Sequence, residues 1–285
     1  MSISRNCLIC GKPGSPLGKS YKRAFLSRCD ACRMVYSHII PTNEELSAHY
    51  ANYDRNIEVS KLTSDVYELW LRDWMSQGFQ THYDFGCGLG ALVSFASSKG
   101  MQSVGSEIDA SVVEKLRKNG IPAFETEFIR SNSDTYDVVT IIEVIEHVPD
   151  PKEVLKLLAS KLSASGIVYL TTPNFDSLNR RILKGRWRAL WYPDHINIFQ
   201  AKSISSIMSE CGLKIVEIRT SGHILADTIP GVGTKKVFEQ LLAVENQRKF
   251  FMHNSLTRIL KQFLNILLDK LGMGDTMTVV AIKSI

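Results

Sequence analysis

Residues 82–96 read HYDFGCGLGALVSFA, and this stretch decides the fold of the chain. Its first residues are typical of a short buried strand, and the apolar residues after the glycines predict the start of a helix. Between them stand Gly86, Gly88 and Gly90, which allow sharp turns and a close approach of the backbone to a ligand. The N-terminus of the helix would face the same ligand. Because a dinucleotide pyrophosphate also binds such a loop, the stretch alone leaves the cofactor open.

Further strands alternate with helical segments after this loop. A second strand ends near Glu107, 21 residues after Gly86, where an acid can hold the two hydroxyls of a ribose. The later predicted strands cover residues 137–142, 166–170, 213–218 and 277–282. This alternation predicts an α/β fold with a doubly wound, Rossmann-like parallel sheet.

Four motifs in this order resemble the class I S-adenosylmethionine-dependent methyltransferases, over about residues 78–221 and the final strand. They are the glycine loop with Asp84 before it, Glu107, Glu143-x-x-Glu146-His147, and the run Pro193-Asp194-His195-x-Asn197-x-Phe199. The resemblance implies a seven-stranded class I sheet, S-adenosylmethionine (SAM) as the cofactor and methyl transfer as the reaction. It is closest to a bacterial subgroup that joins an N-terminal zinc ribbon to this domain, many members of which are associated with polysaccharide biosynthesis or secondary metabolism.

The resemblance also implies roles for single residues in the cofactor site. Asp84 helps to form the site for the methionine end, the glycines of the loop lie under the cofactor, and Glu107 meets the ribose. An acid near the third strand meets the adenine, and both Glu125 and Glu127 are open for this role. Glu143, which follows the fourth strand, also contacts the cofactor.

Transfer of a methyl group to a hydroxyl needs a base, for which histidine is the most common residue type. His195, in a loop after the fifth strand, and His147, directly after the fourth, are the two principal candidates. His223 follows the sixth strand and is a further candidate, whereas His82 is expected to be structural. For each candidate the alternative is a histidine that orders a loop through hydrogen bonds to the backbone.

The spacing of Glu143, Glu146 and His147 would place their side chains on one face of a helical turn. Some ubiquinone-pathway O-methyltransferases, which this stretch resembles, are thought to hold a divalent cation there, so Mg²⁺ binding is one interpretation. Contact with the cofactor and capping of the next helix is the other. The fourth strand is not followed by Asn-Pro-Pro-Tyr or Asp-Pro-Pro-Tyr. This disfavours methylation of adenine amino groups in DNA and favours O- or C-methylation.

Two Cys-x2-Cys pairs near the N-terminus predict a structural zinc site. Eighteen residues separate the pairs, which are Cys7, Cys10, Cys29 and Cys32. Two such turns complete a tetrahedral shell of thiolates around Zn²⁺. Redox-active pairs are the alternative. Cys87 and Cys211 stand alone and are expected in the core.

The positive charge of the chain is concentrated in residues 1–40. The whole chain of 285 residues has a formal charge of +5, but this segment holds seven of its 34 Lys and Arg residues and one of its 29 acids. The segment is therefore +6 and the remainder −1, and four thiolates around Zn²⁺ reduce the former to +4. So small a charge makes nucleic acid an unlikely partner.

Composition limits the class of protein further. The chain is 44% hydrophobic and 22% charged, which excludes extensive disorder. No apolar run approaches the roughly 20 residues of a membrane span, and the N-terminus lacks the apolar stretch of a secretory signal. We therefore expect a cytoplasmic protein.

The sequence divides into five parts. They are a zinc ribbon (1–40), a helical linker (41–76), the methyltransferase domain (77–221), a helical cap insertion (222–276) and the last strand (277–285). Residues 235–271 of the insertion combine an apolar stripe with basic residues. Such a helix packs on its own domain or in a homodimer, and a peripheral membrane contact is the alternative.

Together these features predict a SAM-dependent methyltransferase that acts by in-line transfer to an oxygen or carbon atom. The expected acceptor is a small molecule, or a free or carrier-linked sugar or glycan intermediate, which the ribbon would help to orient. Two alternatives stay open. One is an rRNA or tRNA methyltransferase that binds RNA through the ribbon, and the other is a catalytically degenerate fold that serves as a binding module.

Overall fold

The computed structural model of the protein describes residues 3–42, 44–46, 61–190, 192–222, 263 and 265–284. The histidine candidate His223, most of the predicted cap insertion (223–262) and residues 47–60 of the predicted linker lie outside the described residues. Among the helices of the described segments, none is both long and apolar enough to cross a membrane.

Strands and helices alternate along the chain after an N-terminal group of short strands. In chain order the strands are β1 (Ile3–Ser4), β2 (Gly14–Pro16), β3 (Leu26–Cys29), β4 (Val35–Ser37), β5 (Ile39–Ile40), β6 (Thr81–Phe85), β7 (Gln102–Glu107), β8 (Ala123–Glu125), β9 (Tyr136–Ile142), β10 (Leu162–Pro173), β11 (Asn197–Ile198), β12 (Leu213–Ser221) and β13 (Thr276–Lys283). The α-helices are α1 (Lys61–Ser76), α2 (Ala91–Ser98), α3 (Ala110–Lys118), α4 (Thr126–Ser131), α5 (Pro151–Ser160), α6 (Leu178–Leu183) and α7 (Ala201–Glu210). Two 3₁₀ helices cover Lys19–Ala24 and Lys184–Arg186.

A seven-stranded mixed sheet forms the centre of the molecule. Its order is β12-β13-β10-β9-β6-β7-β8. The last strand, β13, runs antiparallel to both neighbours, and the other pairs are parallel. The predicted seven-stranded Rossmann-like sheet is therefore confirmed, but it is mixed and not all parallel, because the last strand lies antiparallel between β10 and β12.

The central strand β9 is buried on both faces of the sheet, which stabilises it. Val138, Val139 and Ile141 are each fully buried, as expected for a parallel strand that is covered on both faces. On one face, Trp70 and Trp74 of α1 pack on Tyr169 of β10, with ring centroids 4.8 and 5.6 Å away.

Helix starts cluster at the carboxyl edge of the sheet. Asp109 accepts hydrogen bonds from two backbone N–H groups at the start of α3, and Asp150 does the same for α5. Pro151 occupies the first turn of α5, where a missing N–H does not matter. This edge is where doubly wound sheets bind their ligands.

The N-terminal segment shares a second sheet with the methyltransferase part of the chain. The order of this four-stranded sheet is β11-β4-β3-β2, and Asn197 and Ile198 of β11 pair with Tyr36 and Val35 of β4. Below the sheet the two parts also share one hydrophobic core, in which Tyr36 is buried together with Phe199. Residues 1–40 are thus bound to the domain by backbone hydrogen bonds and by packing.

Candidate active site

The glycine loop joins β6 to α2 as predicted. The backbone N–H groups of Gly86 and Cys87 both donate to the carbonyl of Ser106, at 2.9 Å. Gly86 has a φ of +73°, and a Cβ atom there would lie 2.7 Å from Cγ2 of Val144. At Gly88 a Cβ would meet nothing within 4 Å. The loop is therefore pressed against the turn after β9 on one side and open on another.

The carboxyl group of Asp84 belongs to a buried network of hydrogen bonds next to the loop. The hydroxyl of Thr140 donates to its Oδ1 at 2.6 Å. Burial raises the pKa of Asp84 to about 7; the hydrogen bond from Thr140 opposes this rise and the charge of Glu107 adds to it. His82 contacts Thr140 and Ser103 from the other side, and burial lowers its pKa to about 3. His82 is thus a neutral structural residue, as expected.

The two acids predicted for the ribose and the adenine lie side by side. Glu107 and Glu125 are register partners at the ends of β7 and β8. Glu107 accepts the N–H of Gly88 at 3.0 Å and that of Ile108 at 2.8 Å, and Glu125 is exposed. Glu127 instead pairs with Arg130 within α4 at 3.4 Å. Of the two adenine candidates, Glu125 is the one that adjoins Glu107.

The Glu143-x-x-Glu146-His147 segment forms a turn and not the expected helical turn with three aligned side chains. Glu143 has a φ of +52°, which no helix accommodates, and its side chain is exposed. Glu146 is fully buried; its Oε2 accepts from the hydroxyl of Thr172 at 3.0 Å. Its Oε1 is buried and has no hydrogen-bond partner among the described residues.

His147 and His195 meet at this turn. Their ring centroids are 4.6 Å apart with the planes at 77°. His147 places Nδ1 2.8 Å from Oδ1 of Asp194. His195 donates from Nδ1 to the carbonyl of Ala189 at 2.8 Å. Because Nδ1 of His195 donates to a carbonyl, Nε2 is the basic nitrogen of the neutral ring, and it lies 4.0 Å from Oδ2 of Asp194.

The charges around the turn shift the pKa values of His147 and Glu146. Burial alone would lower the pKa of His147, but the hydrogen bond to Asp194 and the charges of Glu146 and Asp194 outweigh it and raise the value to about 9. Burial, reinforced by the charge of Glu143, raises the pKa of Glu146 to about 8. Both groups therefore hold a proton at neutral pH, and neither is a ready base.

The same cluster has the donor set of a cation site. One ligand atom each from Glu146, His147 and His195 lies within 4.8 Å of the others. Glu143, which the sequence placed in such a site, is not part of the group. Two imidazoles and one carboxylate suit a transition metal better than Mg²⁺.

The four N-terminal cysteines converge, as the spacing predicts. The Sγ–Sγ distances are 3.4 Å for Cys7–Cys32, 3.4 Å for Cys10–Cys29 and 3.7 Å for Cys10–Cys32. A tetrahedron with Zn–S bonds of about 2.3 Å has sulfur atoms about 3.8 Å apart, so the four thiols fit Zn²⁺. Backbone N–H groups of Cys32 and Ala31, together with neighbouring thiols, outweigh burial and lower the pKa of Cys29 to about 7, whereas burial raises the pKa of Cys7 and of Cys32.

Comparisons with known proteins agree with this geometry. Residues 79–218 match the methyltransferase domain family. Over 111 residues the chain is 35% identical to the ubiquinone biosynthesis O-methyltransferase of Aliivibrio fischeri (strain MJ11), across 35% of this chain and 44% of that protein. The chain thus spans less than half the length of the curated relatives it matches.

Two solved structures share the fold. One is a SAM-dependent methyltransferase from Archaeoglobus fulgidus, with a TM-score of 0.51 and 20% identity over 76% of this chain and 93% of that chain. The other is the magnesium protoporphyrin IX methyltransferase from Synechocystis PCC 6803 with bound SAH, with a TM-score of 0.51 and 14% identity over 85% of this chain and 98% of that chain.

Sheet order and glycine loop are those of the class I methyltransferase fold. The match of residues 79–218 to the methyltransferase domain family supports a SAM-dependent methyltransferase, with SAM as the cofactor.

Three residues near this site were not predicted from the sequence. Thr140, which donates to Asp84, was missed because the rest of β9 is mostly apolar. Arg5 was missed because it lies 192 positions before Asn197, whose side chain it contacts. Asp194, which precedes His195 in the quoted run, could have been chosen as a partner for a histidine, but only the fold shows that it orients His147.

Proposed function

We propose that the protein transfers the methyl group of SAM to a hydroxyl oxygen of a small molecule. The observation that carries this proposal is the hydrogen bond from Nδ1 of His195 to the carbonyl of Ala189, which makes Nε2 the basic nitrogen of the ring, 4.0 Å from Oδ2 of Asp194. The adjacent turn touches the glycine loop through Val144 and Gly86, so base and cofactor site share one edge of the sheet. The relative from Aliivibrio fischeri is named an O-methyltransferase.

The residues present fit the cofactor. A buried carboxyl at Asp84 and the open side of the loop at Gly88 suit the ammonium and carboxylate of the methionine end. Glu107 would accept from the ribose hydroxyls, and Glu125 stands beside it for the adenine. When bound, SAM supplies an activated methyl group, so alignment of the acceptor is the main task of the protein.

His195 would accept the proton of the acceptor hydroxyl at Nε2. His147 is protonated at neutral pH because Asp194 stabilises its charge, and it would donate a hydrogen bond to the acceptor oxygen or a second polar group. Glu143 stands at the start of the same turn with an exposed side chain, and contact with the cofactor is its proposed role. In this scheme the two histidines have separate roles, one as base and one as donor.

The test uses the full chain, methyl-labelled SAM and three probe acceptors: catechol, a nucleotide sugar and an RNA oligonucleotide. We expect methyl transfer to the catechol oxygen, detected by mass spectrometry. Transfer to RNA alone would overturn the proposal in favour of the RNA alternative, for which the relatives above give no support. Transfer to a hydroxyl of the nucleotide sugar alone would support a hydroxyl acceptor and identify it as a sugar. SAM binding without transfer to any hydroxyl compound would favour the degenerate binding module.

We also propose a zinc site, a contact surface and a cellular location for the protein. Cys7, Cys10, Cys29 and Cys32 would hold one structural Zn²⁺, supported by their sulfur distances. A homodimer or peripheral membrane contact would use residues 235–271, of which the structure describes only the last few. Location in the cytoplasm is the third.

A further inference from the structure

The segment after His195 belongs to the N-terminal sheet. Strand β11 begins at Asn197 and is the edge strand beside β4. Ser37, at the end of β4, donates its backbone N–H to the carbonyl of Ile196 at 2.8 Å. The backbone next to the proposed base is therefore fixed by residues 1–40.

Arg5 ties this strand to the N-terminal segment with a single guanidinium group. Its Nε donates to the Ser37 carbonyl at 2.8 Å, and its Nη2 donates to the Ile196 carbonyl at 2.7 Å and to Oδ1 of Asn197 at 2.9 Å. Its Nη1 donates to the carbonyl of Pro149 at 3.3 Å. Burial lowers the pKa of Arg5 to about 10, so the group stays charged at neutral pH. Charged donors make the stronger hydrogen bonds, and a lysine cannot reproduce this fork.

Asn197 connects the same strand to the turn that carries the other histidine. Its Nδ2 donates to the carbonyls of Val148 at 2.7 Å and Ile145 at 3.2 Å. The carbonyl of Glu146 accepts the backbone N–H groups of Ile196 and Asn197, both at 3.0 Å. Asn197 is fully buried, and a buried polar group that loses its partners destabilises the local arrangement strongly.

We infer that residues 1–40 are a positioning element for the two histidines, and that Arg5 and Asn197 are its positioning residues. The contacts form one continuous path from the N-terminal sheet through Arg5 and Asn197 to the loop of His195 and the turn of His147. The catalytic consequence rests on the proposed function. The effect on the structure of the histidine loop is independent of the proposed function, because it can be measured in the protein without any substrate.

Two rival roles of the N-terminal segment predict different results in experiments on Arg5. A segment that only stabilises the fold would not loosen the histidine loop selectively when Arg5 is changed. A segment that only binds the acceptor would raise KM for the acceptor and leave kcat unchanged. Lys12 supplies the matched control, because it is an exposed cation of the same segment and takes no part in these hydrogen bonds.

The first experiment is amide hydrogen exchange on full-length protein, with Arg5→Ala, Arg5→Lys and Lys12→Ala. In Arg5→Ala we expect the N–H groups of Ile196 and Asn197 to exchange on the order of tenfold faster or more, while the protected amides of β9 keep their rates. Arg5→Lys should lie between Arg5→Ala and the wild type, and Lys12→Ala should match the wild type. Uniformly faster exchange in all strands, or no change at Ile196 and Asn197, would overturn the inference.

The second experiment measures steady-state kinetics with catechol as the probe, below the melting temperature of each variant. We expect Arg5→Ala to lower kcat on the order of 10²-fold with the Kd of SAM little changed, because a small misplacement of a catalytic group is enough for such a loss. An effect on KM alone, or none, would overturn the catalytic part. If the wild type itself methylates no probe, the proposed function fails, and the exchange experiment still decides the positioning role.

Discussion

His195 and His147 lie in contact, but their hydrogen bonds differ: Nδ1 of His195 donates to the carbonyl of Ala189, whereas Nδ1 of His147 pairs with the carboxylate of Asp194. The loss of the basic nitrogen Nε2 at His195, the proposed base, should therefore matter most. We expect His195→Gln to lower kcat by about 10²–10⁴-fold, the usual contribution of a positioned base, with the Kd of SAM little changed. Steady-state kinetics with catechol and calorimetry of SAM binding measure the two quantities.

His147→Gln is the matched comparison for this prediction. His147 is held by Asp194 and is protonated at neutral pH, so its replacement removes a donor and a charge but not the base. We expect a smaller loss of kcat. A larger loss in His147→Gln than in His195→Gln would reverse the assignment of the base.

Binding of SAM should depend on pH through the protonation of Asp84. Its pKa of about 7 in the free protein means that the carboxyl is largely neutral below pH 7. The ammonium group of SAM favours the carboxylate, so binding at pH 6 should release a proton and affinity should fall as the pH drops below 7. Calorimetry at pH 6 in two buffers of different ionisation enthalpy measures the released proton.

The control for this proton linkage is Asp84→Asn, in which the released proton should disappear. Equal binding heats in both buffers for the wild type would contradict the prediction.

The raised pKa of Asp84 also affects the stability of the protein without cofactor. The stabilising contribution of the protonated carboxyl is present below the unfolded pKa of 3.8 and is lost as the pH rises to about 7.

At the scale of the element, the glycine loop depends on close packing against the turn after β9. Gly86 and Gly120 have nearly the same φ, +73° and +74°, but a Cβ would strike Val144 only at Gly86. We expect both Gly→Ala variants to lose about 1 kcal/mol of unfolding free energy from backbone strain. Only Gly86→Ala should also bind SAM about tenfold more weakly or worse, because the loop must shift. Equal SAM affinity in the two variants would contradict this view of the loop.

The elements that could be predicted are those whose causes are local. The glycine loop follows from positions close together in the chain, and the buried strands follow from apolar runs, so their limits were found to within a few residues. The turn after β9 was not predictable in this way. Its shape depends on the left-handed backbone of Glu143, a residue type that the spacing rule treats as an ordinary helix former.

At the scale of the whole molecule, the decisive contacts join residues that are distant in the sequence. His147 and Asp194 are 47 positions apart, and Arg5 and Asn197 are 192 apart. Composition and periodicity carry no information about such pairs. The cysteine spacing predicted a metal site, but not that the segment around it would share a sheet with β11.

This shared sheet and core make a specific prediction about metal removal. We expect about one zinc ion per chain, lost on chelation or in Cys10→Ser and retained in Cys211→Ser, since the thiol of Cys211 contacts the carbonyl of Lys152 and is not one of the four that converge. Because Cys7 and Tyr36 lie in the same hydrophobic core as Phe199 and Leu213, the loss should lower the melting temperature of the whole chain in one transition. Differential scanning calorimetry and metal analysis on the same samples test this. A separate early transition for the N-terminal segment, with the main transition unmoved, would show instead that the ribbon unfolds independently of the domain whose histidines it adjoins.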